Sequence, residues 1–176
     1  MLTKATFGDL KEIDKLAVLV INDMKESGIP QWDTSYPRYD HYYKDIQSDG
    51  LIKYVVNGEI LGVMTILPED DPPYKTIDSW LREKSIVLHR ILVHPLHRKK
   101  GIAKIFLDYA IDYGISNHYE SIKIDTHLEN YKMRNFLTKN GFIELEYITV
   151  MDRLAFELLL EGKEWVKLLL YGKQKT

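Results

Sequence analysis

The chain has 176 residues, of which 45% are hydrophobic and 28% are charged, as in ordinary globular proteins, and we predict one domain over residues 1–176. The formal net charge of -2 gives no reason to expect nucleic acid or an anionic membrane as a partner. The chain has no cysteine, which excludes disulfides, a cysteine nucleophile and thiolate metal ligands, and which fits the cytoplasmic location that we expect.

The N-terminal quarter is predicted to hold a strand, a helix and an aromatic segment. Residues 2–7 favour a short strand. Asp9 precedes residues 13–21, in which apolar side chains recur at helical spacing, so that a helix is expected there. Gly28-Ile29-Pro30 ends this helix. Residues 31–43 hold five aromatic side chains around a proline, and they cannot form one regular helix.

The middle of the chain is predicted to form a hairpin, a loop and a buried strand. Residues 54–56 and 60–67 flank Asn57-Gly58, a pair that readily adopts the positive φ angles of a two-residue turn. Residues 68–74 contain three prolines and three acids and are expected to be a loop. Residues 86–93 are nearly all apolar, which is typical of a central strand that is buried on both faces.

The remaining segments alternate between helix and strand before ending in two strands. A helix is expected over residues 102–115, a strand over 121–127 and a second helix from Asn130 to Asn140-Gly141. Strands are expected over residues 143–150 and 154–160. The resulting order of elements predicts a mixed α/β domain.

A basic segment lies at the start of the helix that follows the buried strand. Arg98, Lys99 and Lys100 precede the helix, and Lys104 lies in its first turn. The N-terminal end of a helix carries a partial positive charge, so each such cation costs about 0.3–1 kcal/mol unless an anion binds. Gly101 would let a ligand approach the backbone, whose N–H groups donate to phosphate oxygens. The segment predicts an anion site; the alternative is a solvated basic loop that caps a helix.

The residues around this loop match a known motif. The chain contains neither Gly-x-x-x-x-Gly-Lys-Ser/Thr nor Gly-x-Gly-x-x-Gly, which argues against the common nucleotide loops. The segment IVLHRILVHPLHRKKGIA, residues 86–103, resembles the signature of GNAT-superfamily N-acetyltransferases, in which Arg/Gln-x-x-Gly-x-Gly/Ala follows a strand. Arg98, Gly101 and Ala103 occupy the motif positions.

Two further segments extend the resemblance to about residues 1–160. Asn130 and the Asn-Gly-Phe sequence at residues 140–142 resemble the next family motif, and residues 2–13 resemble the family's first strand and helix. The resemblance implies the GNAT acyltransferase fold, an α/β fold whose central sheet is mixed, mostly antiparallel and flanked by helices.

The resemblance implies acetyl-coenzyme A as the acyl donor and no metal. The loop amides would bind the pyrophosphate, and backbone groups of the preceding strand would pair with the pantetheine arm and hydrogen-bond the thioester carbonyl. Asn130 resembles a residue that contacts the cofactor, although a plain helix cap is the alternative. The implied cofactor contacts are Ile91, Leu92, Val93, Arg98, Lys99, Lys100, Gly101, Ile102, Ala103, Lys104 and Asn130.

The implied chemistry is direct attack of an amine on the thioester, which needs a base and often an acid. Many family members carry a tyrosine acid seven residues after the motif asparagine, but this chain has Leu137 there. Water, Tyr131 or Tyr147 remain as proton sources for the leaving thiolate.

Three residues are candidates for the base. His89 lies two residues before Ile91, and hence is expected on the same face of the strand; the alternative is a packed strand histidine. Asp125, in the next strand, is the second candidate, and a cross-strand salt bridge to Arg90 is its alternative. Glu129 is the third, unless it only decorates the first turn of a helix.

The acceptor pocket is expected at the aromatic segment, with Gln31, Trp32 and Tyr36 as lining residues. Aromatic rings suit an ammonium group through cation–π contact, whereas the alternative is that they only pack the segment. The acceptor itself stays open between a small-molecule amine and a peptide, and the donor between an acetyl and a longer acyl group.

Three functional hypotheses follow. The leading one is an acetyl-coenzyme A-dependent N-acetyltransferase. The second is a non-catalytic acyl-coenzyme A-binding or regulatory module on the same fold, which the missing tyrosine at Leu137 suggests. The third adds a homodimer through residues 161–176. These residues are expected to form a C-terminal helix with Trp165, Leu168 and Leu169 on one face, or an oligomer contact in which Trp165 and residues 168–170 are exposed on the monomer.

Overall fold

The computed structural model describes residues 1–68 and 72–163. These residues form seven strands and four α-helices. The helices are α1 (Leu10–Glu26), α2 (Tyr39–Gln47), α3 (Ile102–Ser116) and α4 (Tyr131–Lys139). The strands are β1 (Leu2–Lys4), β2 (Leu51–Val56), β3 (Glu59–Leu67), β4 (Ser85–Val93), β5 (Ser121–Thr126), β6 (Ile143–Ile148) and β7 (Arg153–Leu159).

The strands form one mixed, mostly antiparallel sheet in the order β1-β2-β3-β4-β5-β7-β6. Strand β4 occupies the middle of this order, and its residues Ser85–Val87 pair in parallel with β5. Antiparallel pairing joins β1 to β2, β2 to β3, β5 to β7 and β6 to β7. The predicted fold class and the central position of residues 86–93 are confirmed.

The chain divides into two compact units. The first comprises Met1–Leu67, Leu88–Ala103 and Glu129–Tyr131, and the second comprises the intervening segments and the C-terminal part. A single domain over residues 1–176 stays a prediction. The predicted tail helix and oligomer contact lie outside the described residues from position 164 onward.

The core of the first unit is built on the apolar face of α1. Ile13, Ala17 and Val20 are buried at the predicted helical spacing and pack in one cluster with Leu51 of β2 and Leu92 of β4. Complete burial of one such aliphatic side chain stabilises the fold by about 1.5–3 kcal/mol. This helix therefore supplies the first unit with much of its stability.

Helix α2 is the element that the sequence pattern did not predict. Only Tyr42 and Asp45 are buried in it, so it lacks the apolar stripe that identifies a helix in a sequence. The preceding peptide bond between Tyr36 and Pro37 is cis, and Asp33 and Tyr36 form an isolated bridge. Residues 31–43 are thus not one regular helix, as expected.

The strand predicted over residues 121–127 alternates Ile122, Ile124 and Thr126 with Lys123, Asp125 and His127 in the sequence, which favours one apolar and one polar face. In β5, which belongs to the second unit, Lys123 is nevertheless only 2% exposed. Its Nζ lies 4.7 Å from the ring centroid of Trp80, and Glu157 faces it on β7. The face of β5 that carries Lys123 is therefore also covered. The residues that cover it lie far away in the chain, so the local sequence pattern could not predict its burial.

The hydrophobic core of the second unit is built from other segments of the chain than that of the first unit. Tyr74, Val87 and Ala155 are buried in one cluster with Ile77 and Ile148.

In the described part of the chain no helix is long and apolar enough to cross a membrane.

Candidate functional site

The loop after β4 has the backbone of an anion cradle. His94 Nδ1 accepts a hydrogen bond from the Leu96 N–H at 3.2 Å and so starts a 3-10 turn. Two left-handed residues follow, Lys99 at φ 60° and Gly101 at φ 82°, after Arg98, whose backbone is extended. Left-handed residues in a loop can turn neighbouring N–H groups toward a common centre, as in the backbone concavities that bind anions.

The N–H groups of this loop are available to a ligand. Among the described residues of the first unit, no backbone–backbone hydrogen bond uses the N–H groups of residues 99–103. A Cβ atom placed on Gly101 would meet no heavy atom within 4 Å. The loop therefore offers both the donors and the space that a phosphate group needs.

The positive charge of the loop is partly balanced. Arg98 Nη1 lies 2.5 Å from Asp23 Oδ2 on α1, and Lys100 Nζ lies 3.5 Å from His97 Nδ1. In the described part of the chain, Lys99 makes no ion pair. Lys104, which belongs to the second unit, pairs with Asp108. The four predicted cations therefore carry less unbalanced positive charge than the sequence suggests.

An open groove of about 390 Å³ adjoins the 3-10 turn. Two carboxylates, Asp23 and Glu26, give it acidic character. Its lining residues are Leu19, Asn22, Asp23, Glu26, His94, Pro95 and Leu96.

Strand β4 continues through Arg90, whose φ of 50° lies in the left-handed region. Side chains alternate regularly only where the backbone is regularly extended, so the expected common face of His89 and Ile91 stays a prediction. His89 is 7% exposed and Leu92 is completely buried, whereas Ile91 and Val93 are half-buried.

The guanidinium of Arg90 joins two segments of the first unit. Its Nε and Nη2 donate to the two carboxylate oxygens of Asp45 at 2.7 and 2.5 Å, and its Nη1 donates to the Tyr36 hydroxyl at 2.8 Å. Thr65 Oγ1 also donates to Asp45, at 2.8 Å. Burial disfavours the charged guanidinium, yet the bonds to Asp45 and Tyr36 hold the pKa of Arg90 above its ordinary value. Asp125 belongs to the other unit, so its proposed salt bridge with Arg90 stays a prediction.

Asn130 also touches a predicted acceptor residue. Its Nδ2 donates to Gln31 Oε1 at 2.8 Å, and Asn130 is only 7% exposed. Trp32 is partly buried and packs against the core of this unit. Tyr131 follows Asn130 and is 58% exposed. The structure thus brings one expected cofactor residue and one expected acceptor residue into contact.

The other candidate for the base, Asp125, lies in the second unit and is hydrogen-bonded. Tyr74 donates its hydroxyl to Asp125 Oδ2 at 2.7 Å, and Arg153 Nε lies 3.6 Å from Oδ1. Leu137, in the position of the family's tyrosine acid, is buried.

A second cluster of titratable groups in this unit involves Tyr147, one of the candidate acids. Its hydroxyl donates to Asp152, and this bond raises the pKa of Tyr147 and lowers that of Asp152. His127 Nε2 lies 3.2 Å from the other oxygen of Asp152. A raised pKa makes Tyr147 a weaker acid than an ordinary tyrosine. In the described residues, no group of three or more His, Asp and Glu side chains is arranged to hold a metal ion.

Sequence reasoning missed Asp23, Asp45 and Arg90 as parts of the site. Their partners lie 45 to 75 residues away in the chain. The one local signal was the presence of an arginine inside an otherwise apolar strand, which calls for a buried partner.

The mixed sheet and the four described helices define an α/β protein, in which the chain runs from β4 through the loop to α3. Residues 18–142 match the model of the Acetyltransferase (GNAT) family, and the chain belongs to this family. The predicted family is thereby confirmed.

Known proteins agree with this assignment at the level of the fold. A GNAT-family acetyltransferase from Streptococcus agalactiae 2603 superposes with a TM-score of 0.79 at 20% identity, covering 90% of this chain and 94% of that chain. One from Listeria monocytogenes 4b F2365 gives 0.73 at 21% identity, with coverages of 90% and 94%. The UPF0157 protein YqkA of Bacillus subtilis (strain 168) is 28% identical over 90% of this chain, which spans only 43% of that relative's length.

Proposed function

We propose that the protein is an N-acetyltransferase that transfers an acetyl group from acetyl-coenzyme A directly to an amine. The observation that carries the proposal is the loop of residues 99–103, in which no N–H group takes part in a backbone hydrogen bond within the described residues of its unit. Membership of the GNAT family supports the reaction class, and we propose that it takes place in the cytoplasm.

In this proposal the cofactor is held by two stretches of backbone and one side chain. The amides of the loop, with Lys99 and Gly101 in left-handed conformations, hold the pyrophosphate without help from a metal. The half-buried backbone of Ile91 and Val93 holds the pantetheine arm and the thioester carbonyl. The complete proposed set is Ile91, Leu92, Val93, Arg98, Lys99, Lys100, Gly101, Ile102, Ala103, Lys104 and Asn130.

The reaction forms an amide bond between the acetyl carbon and the acceptor nitrogen, and it breaks the carbon–sulfur bond. A base takes one proton from the attacking amine, and the thiolate leaves with the electron pair of the broken bond. We propose His89 or Asp125 as the base and Tyr131 as a proton source. Water is a sufficient alternative donor, because a thiolate is stable enough to leave unprotonated.

We propose Gln31, Trp32 and Tyr36 as the acceptor-binding residues. The hydrogen bond between Gln31 and Asn130 supports this, because it joins the aromatic segment to a proposed cofactor residue. The aromatic rings suit a small-molecule amine or a peptide amine.

The second candidate function is a non-catalytic acyl-coenzyme A-binding module. One observation favours it: Leu137, in the position of the tyrosine acid, is 1% exposed and carries no group that can donate a proton.

A thiol-release assay separates these two functions. Acetyl-coenzyme A and a longer acyl-coenzyme A are each incubated with small amines, antibiotics and peptides, and free thiol is measured. We expect release only with a free amine and an acetylated product by mass spectrometry, while the same acceptor with its nitrogen already acetylated gives none. Binding of acetyl-coenzyme A without release to any amine would favour the non-catalytic module.

A further inference from the structure

The backbone of Arg90 belongs to the strand that is proposed to hold the acyl arm, and its side chain reaches the segment that is proposed to bind the acceptor. Its backbone directly precedes Ile91, the first of the strand residues proposed to carry the acyl arm. Its Nη1 donates to the hydroxyl of Tyr36, at 2.8 Å, in the segment proposed to bind the acceptor. Nε and Nη2 are both used by Asp45, so none of the three guanidinium nitrogens lacks a partner in the first unit.

This arrangement is costly for stability alone. The side chains of Arg90 and Asp45 are 11% and 4% exposed, and apolar residues of similar volume often replace a buried ion pair without loss of stability. The left-handed backbone of Arg90, with φ at 50°, adds strain, because a residue with a side chain disfavours that conformation. The ion pair fixes the orientation of the Arg90 side chain, because two parallel hydrogen bonds to one carboxylate fix the plane of the guanidinium.

The segment that Arg90 reaches is ordered along its own length. Asp33 Oδ1 accepts from the Ser35 N–H at 2.7 Å, and Arg38 Nη1 donates to the Thr34 carbonyl at 3.0 Å. A segment ordered in this way moves as a unit, so a fixed Tyr36 sets the position of its neighbours. The ring of Tyr36 also lies beneath the guanidinium carbon, 5.8 Å from its centroid.

We propose that Arg90 is a positioning residue for the acceptor: through Tyr36 it fixes residues 31–38 relative to the strand that carries the acyl group. The proposal rests on the proposed function, because it takes these residues as the acceptor side of an acyl transfer. Arg90 is assigned this indirect role because three of the five N–H donors of its guanidinium serve Asp45 and Tyr36.

The test uses variants that remove the bond from either end. Tyr36→Phe deletes the accepting hydroxyl and leaves the Arg90–Asp45 pair intact, so the fold is preserved. Arg90→Lys keeps the charge but cannot serve Asp45 and Tyr36 together. Lys53→Met is the matched control, because Lys53 is also ion-paired in the first unit, with Asp9 at 2.6 Å, away from this segment.

Two readouts are expected to change together. With an amine identified by thiol release, both variants should raise the KM for that amine about tenfold, as expected for one lost hydrogen bond to a charged group. The Kd for acetyl-coenzyme A should stay within about twofold, because the loop of residues 99–103 is untouched. Hydrogen exchange of the amides of residues 31–38 should become faster in both variants and stay unchanged in Lys53→Met.

The double variant Tyr36→Phe/Arg90→Lys supplies the decisive comparison. If Arg90 acts through Tyr36, the second substitution adds little to the first. Unchanged exchange in residues 31–38, or fully additive effects on KM, would overturn the proposal. Absence of thiol release by the wild type would count against the proposed function instead, while hydrogen exchange would still decide whether Arg90 orders the segment.

Discussion

At the scale of single residues, Asp23 most directly affects the proposed cofactor loop. Its carboxylate pairs with Arg98 and lines the groove beside the 3-10 turn together with Glu26. The pair orients Arg98, but it also places a negative charge near the proposed pyrophosphate position. Orientation of Arg98 should raise the affinity for coenzyme A, whereas the negative charge should lower it. The effect of the charge should dominate, because the side chains of Arg98 and Asp23 are 29% and 31% exposed and ion pairs of this kind contribute little.

We therefore expect Asp23→Asn to bind acetyl-coenzyme A more tightly than the wild type. Removal of a carboxylate near an anion is worth up to about 1 kcal/mol at a partly exposed site, or about two- to fivefold in Kd. Calorimetric titration at low and high salt measures this, and the gain should shrink as salt screens the charges.

Asp49→Asn is the matched control for this substitution. Asp49 also forms an ion pair, with Lys4, and its substitution removes the same charge. Weaker binding by Asp23→Asn at low salt would show that orientation of Arg98 outweighs repulsion.

At the scale of elements, local signals predicted what local interactions determine. The Asn57-Gly58 turn has the expected positive φ angles, 51° and 84°, because few other residues adopt them. Helix α1 follows its apolar spacing. By contrast, the left-handed backbone of β4 at Arg90 and the burial of Lys123 depend on partners far away in the chain. The periodicity of apolar residues in the sequence does not reveal such partners.

Helices α1 and α2 are tied together by an ion pair of this long-range kind. Arg38 Nε and Nη2 donate to the two oxygens of Asp14 at 2.9 and 3.0 Å. The hydrogen bonds from Arg38 are the main cause that lowers the pKa of Asp14 below its ordinary value of 3.8. A carboxyl whose pKa is lowered by folding contributes stability above its unfolded pKa, and this contribution is lost as the pH falls through the folded value.

Asp14→Asn should therefore lower the free energy of unfolding by about 1 kcal/mol at pH 7, the upper range for a partly exposed pair. The difference from the wild type should shrink as the pH falls below about 4, where the carboxyl of the unfolded chain gains its proton, and should vanish below the lowered pKa of the folded state. Urea titrations at several pH values measure it. An equal difference at neutral and strongly acidic pH would contradict this role for the pair.

At the scale of the whole molecule, the family could be recognised because its motif is continuous in the sequence. Arg98, Gly101 and Ala103 lie within six positions of one another, and one loop holds the proposed pyrophosphate site. The proposed acceptor site is different in kind, because Gln31 and Tyr36, with their partners Asn130 and Arg90, come from three separate stretches of the first unit. Their association could not be predicted from spacing.

The central claim is that the loop of residues 99–103 binds coenzyme A, and a titration of three proteins with acetyl-coenzyme A tests it most directly. The proteins are the wild type, Gly101→Asp and Gly58→Asp. Gly101 and Gly58 have φ angles of 82° and 84°, and a Cβ atom meets nothing within 4 Å at either one. The two variants therefore carry the same charge and the same backbone strain. We expect the wild type and Gly58→Asp to bind with similar affinity and Gly101→Asp to show no binding at millimolar ligand. No binding by the wild type, or equal binding by all three, would contradict the claim.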